Sequence, residues 1–146
     1  MKRRGLQLSR RHRWSLYLIG LALLATGVAW AWLHRLDEAG HVSGSWHEWT
    51  PSLMKVHGFA AVGFVLLLGT LLPVHVRHSW HAKRNRANGA FFLSSVSVLT
   101  LSGYALYYLG SENLRACCSN IHFWLGVVAP LLLVWHIWCG HRASGR

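Results

Sequence analysis

The sequence predicts an all-α integral membrane protein, a four-helix bundle in one membrane domain of residues 1–146. Of the 146 residues, 53% are hydrophobic and only 13% are charged. The charged residues cluster, and between the clusters lie four stretches without Asp, Glu, Lys or Arg: 14–34, 56–76, 87–111 and 116–141. Each reaches about 20 residues, the length that a helix needs to cross a hydrocarbon core about 30 Å thick.

The predicted helices follow these stretches in order, at about residues 14–34, 53–76, 89–110 and 118–139. Because the membrane interior has no water to hydrogen-bond the backbone, each stretch is expected to be a helix rather than a strand or a loop. The first stretch has an alternative interpretation, a cleaved export signal preceded by Arg10 and Arg11. Its length exceeds the roughly 7 to 15 residues of a signal core, which favours a retained helix.

The distribution of positive charge predicts the orientation of the chain. The net charge is +11, and all of the 15 Lys and Arg residues except Arg35, Lys55 and Arg115 lie at the two termini or in the middle connection. Cytoplasmic segments of membrane proteins carry such an excess, so both termini are expected in the cytoplasm of a bacterium, with the chain in the inner membrane. The basic residues are expected to lie near lipid, and nucleic acid is not an expected partner.

Histidines inside the apolar stretches are the candidate functional residues. Of the 11 histidines, His57, His75, His122 and His136 lie within predicted helices away from the connections. An ionisable side chain is costly within a membrane and usually faces the interior of the bundle. These four residues therefore indicate a site.

The spacing of the four histidines arranges them in two pairs. His57 and His75 are 18 residues apart, and His122 and His136 are 14 residues apart. On regular helices these separations are about five and 3.9 turns, so each helix carries both of its imidazoles near one face. Since the two helices run parallel, His57 and His122 are expected at the outer level, and His75 and His136 at the inner level, with a bend at Pro73 correcting their register.

Two pairs of imidazoles at two depths suit two six-coordinate haems, each held between histidines of different helices. Such ligation fills both axial positions and favours electron transfer over oxygen chemistry. A zinc or copper site is less favoured, because no carboxylate or methionine lies at the same depth. The competing interpretation is a non-haem scaffold or assembly subunit, in which the histidines only form hydrogen bonds between helices.

Three segments carry a family resemblance: Val56–Phe59, Leu72–Arg77 and Ser119–Gly126, with His136 further along. They resemble the small bacterial four-helix cytochrome b-like membrane proteins, a superfamily that includes the haem-bearing membrane subunits of formate dehydrogenases and nickel-iron hydrogenases. The resemblance covers about residues 50–142. The 14-residue pair is its most specific element, whereas the 18-residue pair departs from the usual spacing.

This resemblance implies two b-type haems, with His57 and His122 as ligands of the outer iron and His75 and His136 of the inner one. The unusual spacing leaves His78, or His34 at the outer level, as substitute ligands. The resemblance also implies electron transfer between quinone and a periplasmic redox protein, flavin-bearing in some short members. The chain is then an electron-transfer subunit rather than a stand-alone enzyme. A quinone pocket among the outer aromatic residues stays open, and Cys117 and Cys118 are interpreted as thiols rather than a disulfide.

Overall fold

The computed structural model describes residues 9–40, 46–81, 83 and 85–143, and these residues are helical, with no strand among them. The helices are α1 (Arg10–Glu38), α2 (Trp46–Leu71), the short α3 (Arg77–His81), α4 (Arg86–Tyr108) and α5 (Glu112–Ala143). A π-helical turn, Leu72–Val76, joins α2 to α3. The all-helical prediction is confirmed for this part of the chain.

Four of these helices, α1, α2, α4 and α5, are long and apolar enough to cross a membrane. Their bounds reach beyond several of the predicted ranges, most of all in α5, which begins at Glu112 and ends at Ala143. The reason is that a charge-free stretch marks the apolar part of a helix, while the backbone hydrogen bonding continues into the polar flanks. Residues 1–8 and 144–146, which contribute to the predicted orientation, lie outside the described residues.

Large apolar side chains point outward from the helices. Phe59 is 88% exposed, and Trp32, Leu66 and Leu131 are each exposed by about two thirds or more. Val96 is the buried apolar residue among those described. In water so much exposed apolar surface would favour association, whereas hydrocarbon chains solvate it well. The surface of the helices therefore agrees with their length in indicating a multi-pass membrane protein.

The described chain divides into two compact units, Arg10–Leu67 and the residues from Leu68 onward. The first contains α1 and most of α2, and the second contains the π-helical turn, α3, α4 and α5. In the second unit α4 and α5 pack against each other as a hairpin. Its connection is short because Leu109 leaves the helix in an extended conformation while its N–H still bonds to the carbonyl of Ala105.

The end of α2 departs from a regular helix at the predicted position. Pro73 lies in the π-helical turn, and so does His75. A proline supplies no backbone N–H, so the regular hydrogen-bond ladder cannot pass through it, and a wider turn accommodates the break. The count of five whole turns between His57 and His75 assumed an unbroken α-helix, and it does not apply to this chain.

Candidate haem-ligand site

His57 of α2 forms a hydrogen bond with a buried threonine of α1. The Oγ1 atom of Thr26 lies 2.9 Å from Nδ1 of His57. Thr26 donates its own hydroxyl proton to the carbonyl of Ala22 at 2.6 Å, so its oxygen accepts from the imidazole. The next residue, Gly27, makes room for the ring, because a Cβ atom there would lie 3.3 Å from Cε1 of His57.

His122 of α5 has the same kind of contact with α4. Its Nδ1 atom lies 3.0 Å from the carbonyl oxygen of Leu99 and 3.1 Å from Oγ of Ser102. A carbonyl oxygen only accepts, so Nδ1 carries the proton. Gly103 follows Ser102, and a Cβ atom at Gly103 would lie only 2.8 Å from Cε1 of His122. Any side chain at this position would displace the imidazole.

His136, two turns from the end of α5, contacts the first turn of α4. Its Nδ1 atom lies 2.6 Å from Oδ1 of Asn88. The ring stacks on Phe92 with the centroids 5.0 Å apart and the planes 18° apart. Gly89 follows Asn88 and lies beside the ring, since a Cβ atom there would be 3.9 Å from Cε1 of His136.

The three histidines share one arrangement. In each, Nδ1 bonds to a polar side chain of the neighbouring helix, and a glycine directly after that polar residue lies beside the ring. The pairs are Thr26–Gly27, Ser102–Gly103 and Asn88–Gly89. With the proton on Nδ1, the lone pair of the neutral imidazole is on Nε2, the atom that can coordinate a metal. Histidines that bind metals have the same kind of hydrogen bond on their other nitrogen.

The contacts of His122 and His136 have equal spacing on the two helices of the hairpin. Ser102 follows Asn88 by 14 residues on α4, and His136 follows His122 by 14 residues on α5. Because antiparallel helices of equal rise keep a constant register, both contacts form in one straight alignment. Between them Leu99 packs on Gly126, where a Cβ atom would lie 3.7 Å from Leu99 Cδ1. The two imidazoles lie at opposite ends of a single well-packed hairpin.

His75 lies near His136 within the second unit. The two imidazoles are close enough for a charge on one to be felt at the other, and His78 acts on His75 in the same way. His75 is half-buried, whereas His78 of α3 is exposed. The structure thus brings together the predicted inner pair, and it leaves His78 as an exposed neighbour.

The predicted outer pair is divided between the two units. His57 belongs to the first unit and His122 to the second, so their pairing stays a prediction. The substitute His34 lies near the end of α1, where its ring stacks on Trp30 at 4.8 Å and its Nε2 lies 3.6 Å from Oε1 of Glu38. Its side chain is half exposed.

Sequence reasoning missed two of the polar residues that hold the histidines. Ser102 and Gly103 were expected to pack helices and to offer a hydroxyl, but Thr26 and Asn88 were not singled out. A signal for them exists in the sequence: each is a polar residue followed by glycine inside or at the edge of a charge-free stretch. Such a pair has no use on a lipid-facing surface, so it indicates a contact with a neighbouring polar side chain.

No known protein family, curated protein or solved structure matches the chain in these comparisons. Within the part of the chain that the structure describes, no three His, Cys, Asp or Glu residues cluster as a metal site would need. The argument for function therefore depends on the histidines and their hydrogen bonds.

Proposed function

We propose that the protein is a b-type cytochrome with two haems, which carries electrons across the bacterial inner membrane. His57 and His122 would bind one iron, and His75 and His136 the other. Haem bound by two imidazoles supplies a one-electron couple between ferric and ferrous iron. The pairing of the ligands follows from their spacing in the sequence.

The protonation of the imidazoles is the observation that carries this proposal. His57, His122 and His136 each use Nδ1 for the hydrogen bond to the neighbouring helix. A histidine that only joined two helices would do so equally well through either nitrogen. The repeated use of Nδ1 instead keeps the lone pair on Nε2, which is the form that an iron ligand needs.

The glycines beside the rings support the same conclusion. Gly27, Gly89 and Gly103 let each imidazole lie close to the backbone of the adjacent helix. The polar residue before each glycine then restricts rotation of the ring about its side-chain bonds. Ligands restricted in this way bind a metal more tightly, because less conformational entropy is lost on binding.

The proposed setting is a four-helix bundle with both termini in the cytoplasm, in contact with membrane lipid. The excess of Lys and Arg in the termini and the middle connection supports this orientation. The proposed redox partners are the quinone pool and a periplasmic redox protein of the flavin-bearing kind. The chain would then be an electron-transfer subunit, since two imidazoles on each iron leave no position for a substrate.

Optical spectra of the purified protein test the proposal. We expect reduced-minus-oxidised difference bands of a b-type cytochrome and about two haems per chain by the pyridine haemochrome assay. His122→Ala and His136→Ala should each remove about one of the two haems, because each residue would bind a different iron. A colourless wild-type protein from haem-replete cells would contradict the proposal.

The second candidate function is a non-haem scaffold or assembly subunit. It is favoured by the same three hydrogen bonds, since Thr26–His57, Ser102–His122 and Asn88–His136 each join two helices. Interhelical hydrogen bonds of this kind stabilise membrane proteins by about 0.6 kcal/mol on average. The scaffold predicts a colourless protein, whereas the cytochrome predicts that His122→Ala loses a visible absorption band.

A further inference from the structure

Asn88 is placed to act on His136 and on little else. It lies in the first turn of α4 and is 9% exposed. Its Oδ1 atom lies 2.6 Å from Nδ1 of His136, the shortest of the three contacts between a polar side chain and a histidine. The neighbouring Phe92 stacks on the same imidazole, so the orientation of the ring is fixed from two directions.

The orientation of the Asn88 amide follows from a second donor. Nδ2 of Asn85 lies 3.4 Å from the same Oδ1 atom. If the amide were turned over, its nitrogen would face the nitrogen of Asn85, and two donors would meet. The oxygen therefore points towards His136, and the proton of the imidazole lies on Nδ1.

The other end of this amide indicates what Asn88 contributes. Its Nδ2 atom is buried and has no hydrogen-bond partner among the described residues. A buried donor without a partner disfavours the folded state, and an apolar side chain of similar size would avoid this cost. The contribution of Asn88 therefore lies in its oxygen and in the hydrogen bond to His136.

We propose that Asn88 is a positioning residue, which sets the electron-donating strength of His136 and thereby the redox potential of the iron that His136 binds. This inference rests on the proposed function. A strong acceptor at Nδ1 makes the imidazole more basic at Nε2, which stabilises ferric iron over ferrous iron and lowers the potential.

Two substitutions of Asn88 are expected to shift the potential in opposite directions. Asn88→Leu removes the acceptor and should raise the midpoint potential of one of the two components in a redox titration. Asn88→Asp has the same shape but a stronger acceptor, and should lower the potential of that component. The component belonging to His136 is the one that disappears in His136→Ala. Ser95→Ala is the control, because Ser95 lies on the same helix and bonds only to the carbonyl of Phe91.

The outcomes separate this inference from the proposed function. Opposite shifts support it, and so does loss of one haem from Asn88→Leu alone, since the acceptor is then needed for binding. Equal potentials in all three proteins, shifts in one direction, or loss of the haem from both variants would overturn it while leaving the cytochrome in place. A colourless wild-type protein would overturn both. In ¹⁵N spectra of the wild type, His136 should carry its proton on Nδ1, and an Nε2 proton would also overturn the inference.

Discussion

The Nδ1 atom of His122 on α5 lies 3.0 Å from the carbonyl oxygen of Leu99 on α4. A backbone carbonyl in the body of a helix already accepts a bond from its own helix, and here it takes a second donor from a neighbour. The carbonyl cannot donate, so this contact alone determines which nitrogen of His122 carries the proton. Of the three histidine contacts, it is the one whose chemistry does not depend on how a hydroxyl or an amide is turned.

Gly103→Ala should displace His122. An added Cβ atom would lie 2.8 Å from Cε1 of the imidazole, closer than atoms pack, so the ring must move away from Leu99 and Ser102. We expect loss of about half of the bound haem, because one of two irons loses a ligand. The pyridine haemochrome assay measures this directly.

The matched control for this substitution is Gly126→Ala. Gly126 lies in the same hairpin, but an added Cβ atom there would make an ordinary contact of 3.7 Å with Leu99. This variant should keep the haem content of the wild type. Equal haem content in the two alanine variants would contradict the assignment of His122.

Thr26→Val should weaken the site of His57. Valine has the shape of threonine but no oxygen, so Nδ1 of His57 loses the acceptor that lies 2.9 Å away. Loss of such a partner weakens metal binding by about 10- to 100-fold, and haem affinity measured by titrating the haem-free protein should fall accordingly. Thr26→Ser keeps the hydroxyl and should restore the affinity. If serine and valine gave the same result, the hydroxyl would have no role.

His75, rather than His78 or His34, should be the partner of His136. His75 is half-buried and lies near His136, whereas His78 and His34 are exposed. We expect His75→Ala to lose about one of two haems, and His78→Ala and His34→Ala to keep both. Haem content and the spectrum of each variant decide the matter. Loss of a haem from His78→Ala, with His75→Ala unchanged, would reverse the assignment.

The cysteines offer a test of the proposed orientation. Cys117 is exposed near the start of α5, while Cys118 is partly covered and its thiol lies 3.4 Å from the carbonyl of Ser102. Cys117 should therefore react with a maleimide that cannot cross membranes when it is added to spheroplasts, and Cys117→Ser should lose most of that labelling. Cys139, near the other end of α5, should react only after the membrane is opened. Labelling in the reverse order would contradict cytoplasmic termini.

The apolar pattern of the sequence predicts the four long helices well, because in each of them the charge-free stretch is the part that must avoid water. The ends are predicted less well, as α5 shows, since backbone hydrogen bonding continues through Glu112 and Arg142. The π-helical turn at Pro73 also escapes prediction in detail. A proline predicts a break in the hydrogen bonding, but neighbouring residues decide which irregular turn results.

The candidate histidines follow from the sequence, but the groups that hold them do not. Counting residues relates His122 to His136 because both lie on one helix. The contact between Asn88 and His136 joins residues 48 positions apart, and it depends on the register between α4 and α5. Periodicity describes one helix at a time, so it cannot fix that register.

The equal spacing of the two contacts between α4 and α5 has a mechanical consequence. Sliding α5 along α4 by one residue, about 1.5 Å, would stretch both hydrogen bonds together, and turning α5 would carry both rings away from their acceptors. The hairpin is thus fixed at two points against both movements. The axial separation of His122 and His136, about 21 Å for 14 residues, stays constant during thermal motion. For the proposed electron carrier, whose transfer rate falls steeply with distance, this constant separation would keep the rate steady.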